Sequence, residues 1–138
     1  MNYILFSMLY LFVDLIWVSI MYKVFYKEQL EKIQKQSLTF KYVPAILAYI
    51  TLLIIMFYIC IPLSKYYKQY HPSLVFGLVG FCVYGVYNFT NGAIFADYDY
   101  RFITIDTLWG LCSFTLFGLF YSYSGSKFSI SRPITISF

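Results

Sequence analysis

Six side chains able to do chemistry stand inside long apolar runs: Asp14, Asp106, Asn88, Asn91, Trp17 and Trp109. A carboxylate in lipid is costly, so each such group is a candidate functional site that can take up a proton or a small cation. The side-chain amides can orient such a ligand or bridge the two acids. Asp14-Leu-Ile-Trp17 and Asp106-Thr-Leu-Trp109 echo one another, each placing an acid and an indole on one side of a helix. An indole N–H donates to a carboxylate while its ring shields it from lipid. Tyr49, Tyr84 and Tyr87 add phenols, and Arg101, five residues before Asp106, is the cation placed to neutralise that acid. Other chemistries are poorly supplied. His71 is the only histidine and has no partner ligand nearby, so a zinc site is not expected. Cys60, Cys82 and Cys112 are odd in number and far apart in apolar runs, which gives neither a disulfide framework nor a metal-ligand spacing. No cofactor motif is present, and Cys112 and Ser113 near Asp106 are the nearest approach to a nucleophile.

The elements that must position these groups follow from composition. Of 138 residues, 61% are hydrophobic and 12% charged, against about 45–50% and 25% in ordinary soluble domains. Sixteen Tyr, 15 Phe and 2 Trp contribute much of the excess. Four stretches have spanning length: Tyr3–Tyr22, Tyr42–Leu63, Ser73–Ala96 and Phe102–Ser124. At about 1.5 Å per residue each crosses the roughly 30 Å hydrocarbon core. Helix is the structure that satisfies its own backbone in lipid. The fold expected is therefore an all-α membrane protein, an up-down bundle of four transmembrane helices. Pro44 and Pro62 are expected near the ends of the second span, where a missing amide donor costs least. The first stretch lacks a basic leader and a small-residue cleavage site, so it is read as a retained helix.

Between the first two spans, Phe25, Tyr26, Leu30 and Ile33 recur near helical period, with Lys27–Glu31, Glu28–Lys32 and Glu31–Lys35 as i,i+4 pairs. This predicts a short amphipathic helix continuing from span one, against the plainer alternative of a solvated basic linker. Residues 1–124 form the transmembrane domain, and 125–138 read as a polar, poorly ordered tail. Lys23, Lys27, Lys32, Lys35, Lys41 and Arg101 lie on one face, against Lys65, Lys68, Lys127 and Arg132 on the other. The lysine-rich loop 23–41 is thus expected in the cytoplasm, with both termini outside.

Depth ties the polar groups together. In an up-down bundle, Asp14 lies about 12 Å from the lysine-loop face, Asn88 and Asn91 about 12 and 8 Å, Tyr49 about 10 Å and Asp106 about 6 Å. Faces agree as well. Tyr3, Ser7, Tyr10, Asp14, Trp17 and Met21 make one stripe in span one. Gly77, Gly80, Tyr84, Tyr87, Asn88 and Asn91 cluster on span three, and Asp106, Trp109, Gly110, Ser113 and Phe117 on span four. Small and polar residues on these faces suit close helix packing, which competes with function as the reason for the layer.

Taken together, the residues resemble a family of small four-helix membrane proteins known as domain of unknown function 2177. The family pattern has Asp-x-x-Trp in helix one, Tyr-Asp-Leu-Thr-Asn-x-Ala near the end of helix three, and Asp-x-x-Trp-Gly in helix four. This chain reads Asp14-x-x-Trp17, Tyr87-Asn88-Phe89-Thr90-Asn91-Gly92-Ala93 and Asp106-x-x-Trp109-Gly110. Tyr26 and Tyr49 are also similar. The resemblance implies the fold and the site, with Asn88 standing where the family has Asp, and it implies no reaction.

The reading that best fits these residues is a small transport or permease-like subunit binding a small solute, cation or proton. Four short helices enclose little volume, so such a protein is expected to form a homo-oligomer. The alternatives are an intramembrane lipid-modifying enzyme or accessory subunit with a lipid ligand, and a purely structural membrane protein. The lipid bilayer is the common partner. Nucleic acid is excluded, because the +4 net charge is dispersed over membrane loops.

Overall fold

The computed structural model describes residues 3–125. Among them four helices follow in order: α1 Tyr3–Gln34, α2 Tyr42–Tyr66, α3 Pro72–Ile94 and α4 Tyr100–Gly125. All four are long and apolar enough to cross a membrane. The expected tail falls on residues 126–138, which lie outside the described residues.

Apolar side chains are presented outward as well as inward. Ile4 and Val24 are each 73% exposed and Leu74 64%, a cost in water that disappears in lipid. These outer faces contact the bilayer. Ring contacts fix the direction of α4 against α1: Phe6 meets Phe117 and Phe120, Tyr10 meets Phe114, Trp17 meets Trp109 and Tyr26 meets Phe102. Numbers rise on one helix as they fall on the other, so the pair is antiparallel, as the up-down bundle requires. Phe6, Tyr10, Met56, Cys60, Phe76, Phe114 and Phe117 make one apolar core contributed by all four helices.

α3 and α4 form the tightest pair. A Cβ added at Gly80 would overlap the Gly110 carbonyl oxygen and stand 2.6 Å from Phe114 Cγ. One added at Gly118 would stand 2.6 Å from Ser73 Cα. Small residues let these two backbones meet directly. His71 caps α3: its Nδ1 accepts the Ser73 backbone N–H at 3.3 Å, with Pro72 in the first turn.

Two π-helical turns interrupt otherwise regular helices. In α2 the turn Ile55–Cys60 precedes Pro62, which lies four residues before the helix ends at Tyr66, near an end as expected. Proline lacks an N–H and crowds the carbonyl four residues earlier. Widening the helix just before it relieves that clash. In α1 the turn Tyr22–Tyr26 closes with the Lys27 N–H on the Tyr22 carbonyl. The wider turn rotates the following face, so Tyr26 and Gln29 are buried and Val24 is exposed. The amphipathic helix is thus a direct continuation of span one, ending at Lys35 in a left-handed conformation with φ 56°.

That extension packs on protein. Tyr26, Leu30 and Ile33 cluster with Tyr98, Phe102 and Ile103 at the α3–α4 connection. Lys32 Nζ lies 3.7 Å from Asp97 Oδ1, the one salt bridge among the described residues, so the expected ladder of i,i+4 pairs does not form. Lys32 bridges to the next connection because the two lie side by side.

Candidate functional site

The polar groups of α1, α3 and α4 meet in the half of the bundle nearer the lysine-rich loop, above the aromatic core. Asp14 is buried, and its Oδ1 accepts the Trp109 indole N–H at 2.8 Å. Trp17 and Trp109 stack with ring centroids 4.2 Å apart and 4° between planes. The two Asp-x-x-Trp repeats are therefore crossed: the indole of one motif serves the acid of the other. By that symmetry Trp17 would serve Asp106. Instead Trp17 Nε1 is buried without a hydrogen-bond partner, and a tyrosine does the work.

Asp106 has two donors. Tyr26 Oη donates to Oδ1 at 2.9 Å, and Asn88 Nδ2 donates to Oδ2 at 2.7 Å. Asn88 is fully buried, and its Nδ2 also donates to the Tyr84 carbonyl at 2.9 Å. Its Oδ1 accepts Tyr98 Oη at 2.9 Å. Every polar atom of the Asn88 side chain is thus engaged. An amide suits this place because it donates to Asp106 and accepts from Tyr98 at once. Tyr98 lies in the α3–α4 connection, where burial pushes its phenol up.

The two carboxyl groups are linked through α4, which carries Asp106 itself and, three residues on, the Trp109 that donates to Asp14. Tyr49, from α2, lies beside Asp14, and Tyr10 and Tyr84 lie beside one another close to the same acid. Tyr10 Oη is buried with no hydrogen-bond partner. Tyr49 is the contribution of a half-helix, Tyr42–Ile54, that has no buried residue. Hydrogen bonds tie the layer together between α1, α3 and α4, while the first half of α2 is the more exposed side.

Several expected members stand apart. Tyr87 is 58% exposed and neighbours Asn91, which is half-buried beside Tyr98; neither reaches an acid by a hydrogen bond. Arg101 is exposed and forms no salt bridge with Asp106, against expectation. Its backbone N–H donates to Asp99 Oδ1 at 2.7 Å in the first turn of α4. Five residues along a helix carry a side chain well round from its starting face, and Asp106 turns inward to Tyr26 and Asn88. Cys112 is exposed and Ser113 donates weakly to the Gly110 carbonyl at 3.4 Å, so neither is joined to an acid.

Tyr26 and Tyr98 are the residues that sequence reasoning left out of the site. Tyr26 is brought inward by the π-helical turn, which no local pattern announces. Tyr98 sits in a connection, beyond reach of helical-face arguments.

The resulting arrangement is a buried carboxyl group, Asp14, and a half-buried one, Asp106, held by neutral donors: an indole, a phenol and an amide. Among the described residues, no thiol or hydroxyl of Cys112 or Ser113 is joined to either acid. A family model described as "Predicted membrane protein (DUF2177)" matches residues 1–122. Neither a curated protein nor a solved structure matches the chain.

Proposed function

This chain belongs to the DUF2177 family of predicted membrane proteins, and on that premise we propose that it is a transport or permease-like subunit whose Asp14–Asp106 layer takes up a proton or a small cation. It is a multi-pass membrane protein. One observation carries the proposal: both acids are met by neutral hydrogen-bond donors, and the salt bridge present joins Lys32 and Asp97 instead. Negative charge appearing there would lack a counter-ion in a medium where uncompensated charge is expensive. A proton or small cation relieves that cost, and its arrival and departure couple the layer to a gradient. In this reading the exposed first half of α2, with Tyr49 beside Asp14, is the element that moves. Four helices enclose too little volume for a solute path, so a second copy completes it. Within this reading, residues 1–124 are the transmembrane unit, 125–138 a polar tail, and the lysine-rich loop faces the cytoplasm.

The test is reconstitution in liposomes carrying an internal pH dye, with an imposed pH gradient and native mass measurement of copurifying lipid. Gradient-driven flux that is lost in Asp14→Asn supports the proposal. A tightly held single lipid species without flux would point to lipid chemistry, and neither result to a structural role.

A further inference from the structure

The hydrogen bonds of the polar layer divide its two acids between different roles. Asp106 is met on both oxygens, by Tyr26 Oη at Oδ1 and by Asn88 Nδ2 at Oδ2. The amide cannot turn over, because Nδ2 also donates to the Tyr84 carbonyl, which only accepts. A proton on Asp106 Oδ2 would therefore point at a donor. Donors on both oxygens suit a carboxylate, which accepts at every lone pair.

Asp14 is served differently. Trp109 Nε1 donates to Oδ1, and among the described residues no N–H reaches Oδ2. The groups beside this acid are phenols: Tyr49 of α2, Tyr84 of α3 and Tyr10, one turn back on α1. The other titratable groups toward it are Tyr26, on the same helix, and Asp106, three residues before Trp109 on α4. No basic side chain is among these neighbours. Tyr10 is a second, independent sign. Its side chain is fully buried and its Oη has no hydrogen-bond partner. An unpaired buried hydroxyl is expensive, so it calls for a partner that comes and goes. A phenol accepts from a protonated carboxyl group and donates to an ionised one, so Tyr10 suits either state of Asp14.

A metal cation fits this arrangement poorly. Hard cations take several oxygen ligands at once, and three of the four carboxyl oxygens here already face the hydrogen of a donor. A proton needs one lone pair. We propose that the ligand exchanged at the layer is a proton and that Asp14 Oδ2 carries it, with Tyr10 as its hydrogen-bonding partner and Asp106 as the fixed charge. This rests on the reading of the layer as a proton or cation site and narrows it. Uptake forms an O–H bond at Asp14 with a proton from water and leaves that carboxyl group neutral; release returns the proton to water. Asp106 is a positioning residue that holds Tyr26 and Asn88 in place.

The experiment is infrared spectroscopy of the full chain in liposomes, with isotope-labelled aspartate, as the pH is lowered in steps. The parent should show a protonated-carboxyl band that Asp14→Asn lacks. That band should shift in frequency in Tyr10→Phe and stay in place in Tyr26→Phe, where the phenol lost belongs to Asp106. Both variants keep the ring and so the packing, and the fluorescence of the Trp17–Trp109 stack checks the fold. Exchanging sodium for potassium or choline should leave the pH midpoint of the band unchanged. A band that survives Asp14→Asn, or that moves with Tyr26→Phe and not with Tyr10→Phe, would overturn the assignment. Displacement of the band by sodium at fixed pH would do the same, since it would make the ligand a metal cation. The readout is protonation rather than flux, so a silent transport assay with this pattern intact would sink the transport reading alone.

Discussion

Replacing Gly80 with Ala tests whether direct contact between α3 and α4 holds the polar layer in place. The added Cβ would stand 2.6 and 2.7 Å from Phe114 Cγ and Cβ and would overlap the Gly110 carbonyl oxygen. Carbon atoms rest at about 3.5–4.0 Å, so the helices must part by roughly 1 Å. Phe114 cannot swing aside. It is fully buried and packed edge-on against both Tyr10 and Tyr84. Overpacking of this kind costs about 1–3 kcal/mol. The usual gain of about 1 kcal/mol for Gly→Ala in a helix does not offset it, because in a bilayer the helix exists before it packs. Gly85→Ala is the internal control. There the new Cβ meets the Phe89 ring at 3.1 Å, and Phe89 is 53% exposed, so the ring can move away. The assay is reversible unfolding in mixed micelles followed by tryptophan fluorescence, which reports the Trp17–Trp109 stack. Gly80→Ala should lose about 1–3 kcal/mol and Gly85→Ala should stay within about 0.5 kcal/mol of the parent. Equal losses at both positions, or no loss at Gly80, would refute the reasoning.

Other expectations follow from single contacts. Trp109→Phe should destabilise more than Trp17→Phe by about 1–2 kcal/mol, since the first indole N–H serves Asp14 and the second serves no acceptor; the same micelle titration measures it. Tyr26→Phe and Tyr98→Phe each delete one hydrogen bond of the Asp106–Asn88 set and should cost about 0.5–1.5 kcal/mol apiece. Because both sit in one network, a double-mutant cycle should show a coupling clearly different from zero. For sidedness, a reporter fused after Phe138 should score external and one inserted in the lysine-rich loop should score cytoplasmic; the opposite pair of signals would invert the topology.

Spans and direction were legible because lipid imposes a length and a composition, and the four apolar stretches agree with α1–α4 to within a few residues apart from the extension of α1. Relative level along the bundle was legible as well. Asp14, Asn88, Asp106 and Trp109 meet in one layer because helical rise fixes how far each lies from the loop that joins its helix to the next. Partnering was not legible. Which donor meets which acid depends on angular phase, and the π-helical turn at Tyr22–Tyr26 shifts that phase for everything beyond it. The shift brings Tyr26 to Asp106, a role that proximity in sequence assigned to Arg101. Tyr98 reaches Asn88 from a connection whose path is set by tertiary packing on Leu30 and Ile33. Pro62 stands near the end of α2 as expected, just after a second π-helical turn that no local pattern announces.

The measurement that bears most directly on the central claim is the transient current of proteoliposomes on a solid-supported membrane after a pH jump. The parent should give a current that reverses with the direction of the jump. Asp14→Asn and Asp106→Asn should each abolish it, because each removes one carboxyl group of the pair, while the exposed Tyr87→Phe should leave it unchanged. A full-sized current in both Asp→Asn variants, folded as judged by the Trp17–Trp109 fluorescence, would contradict the account.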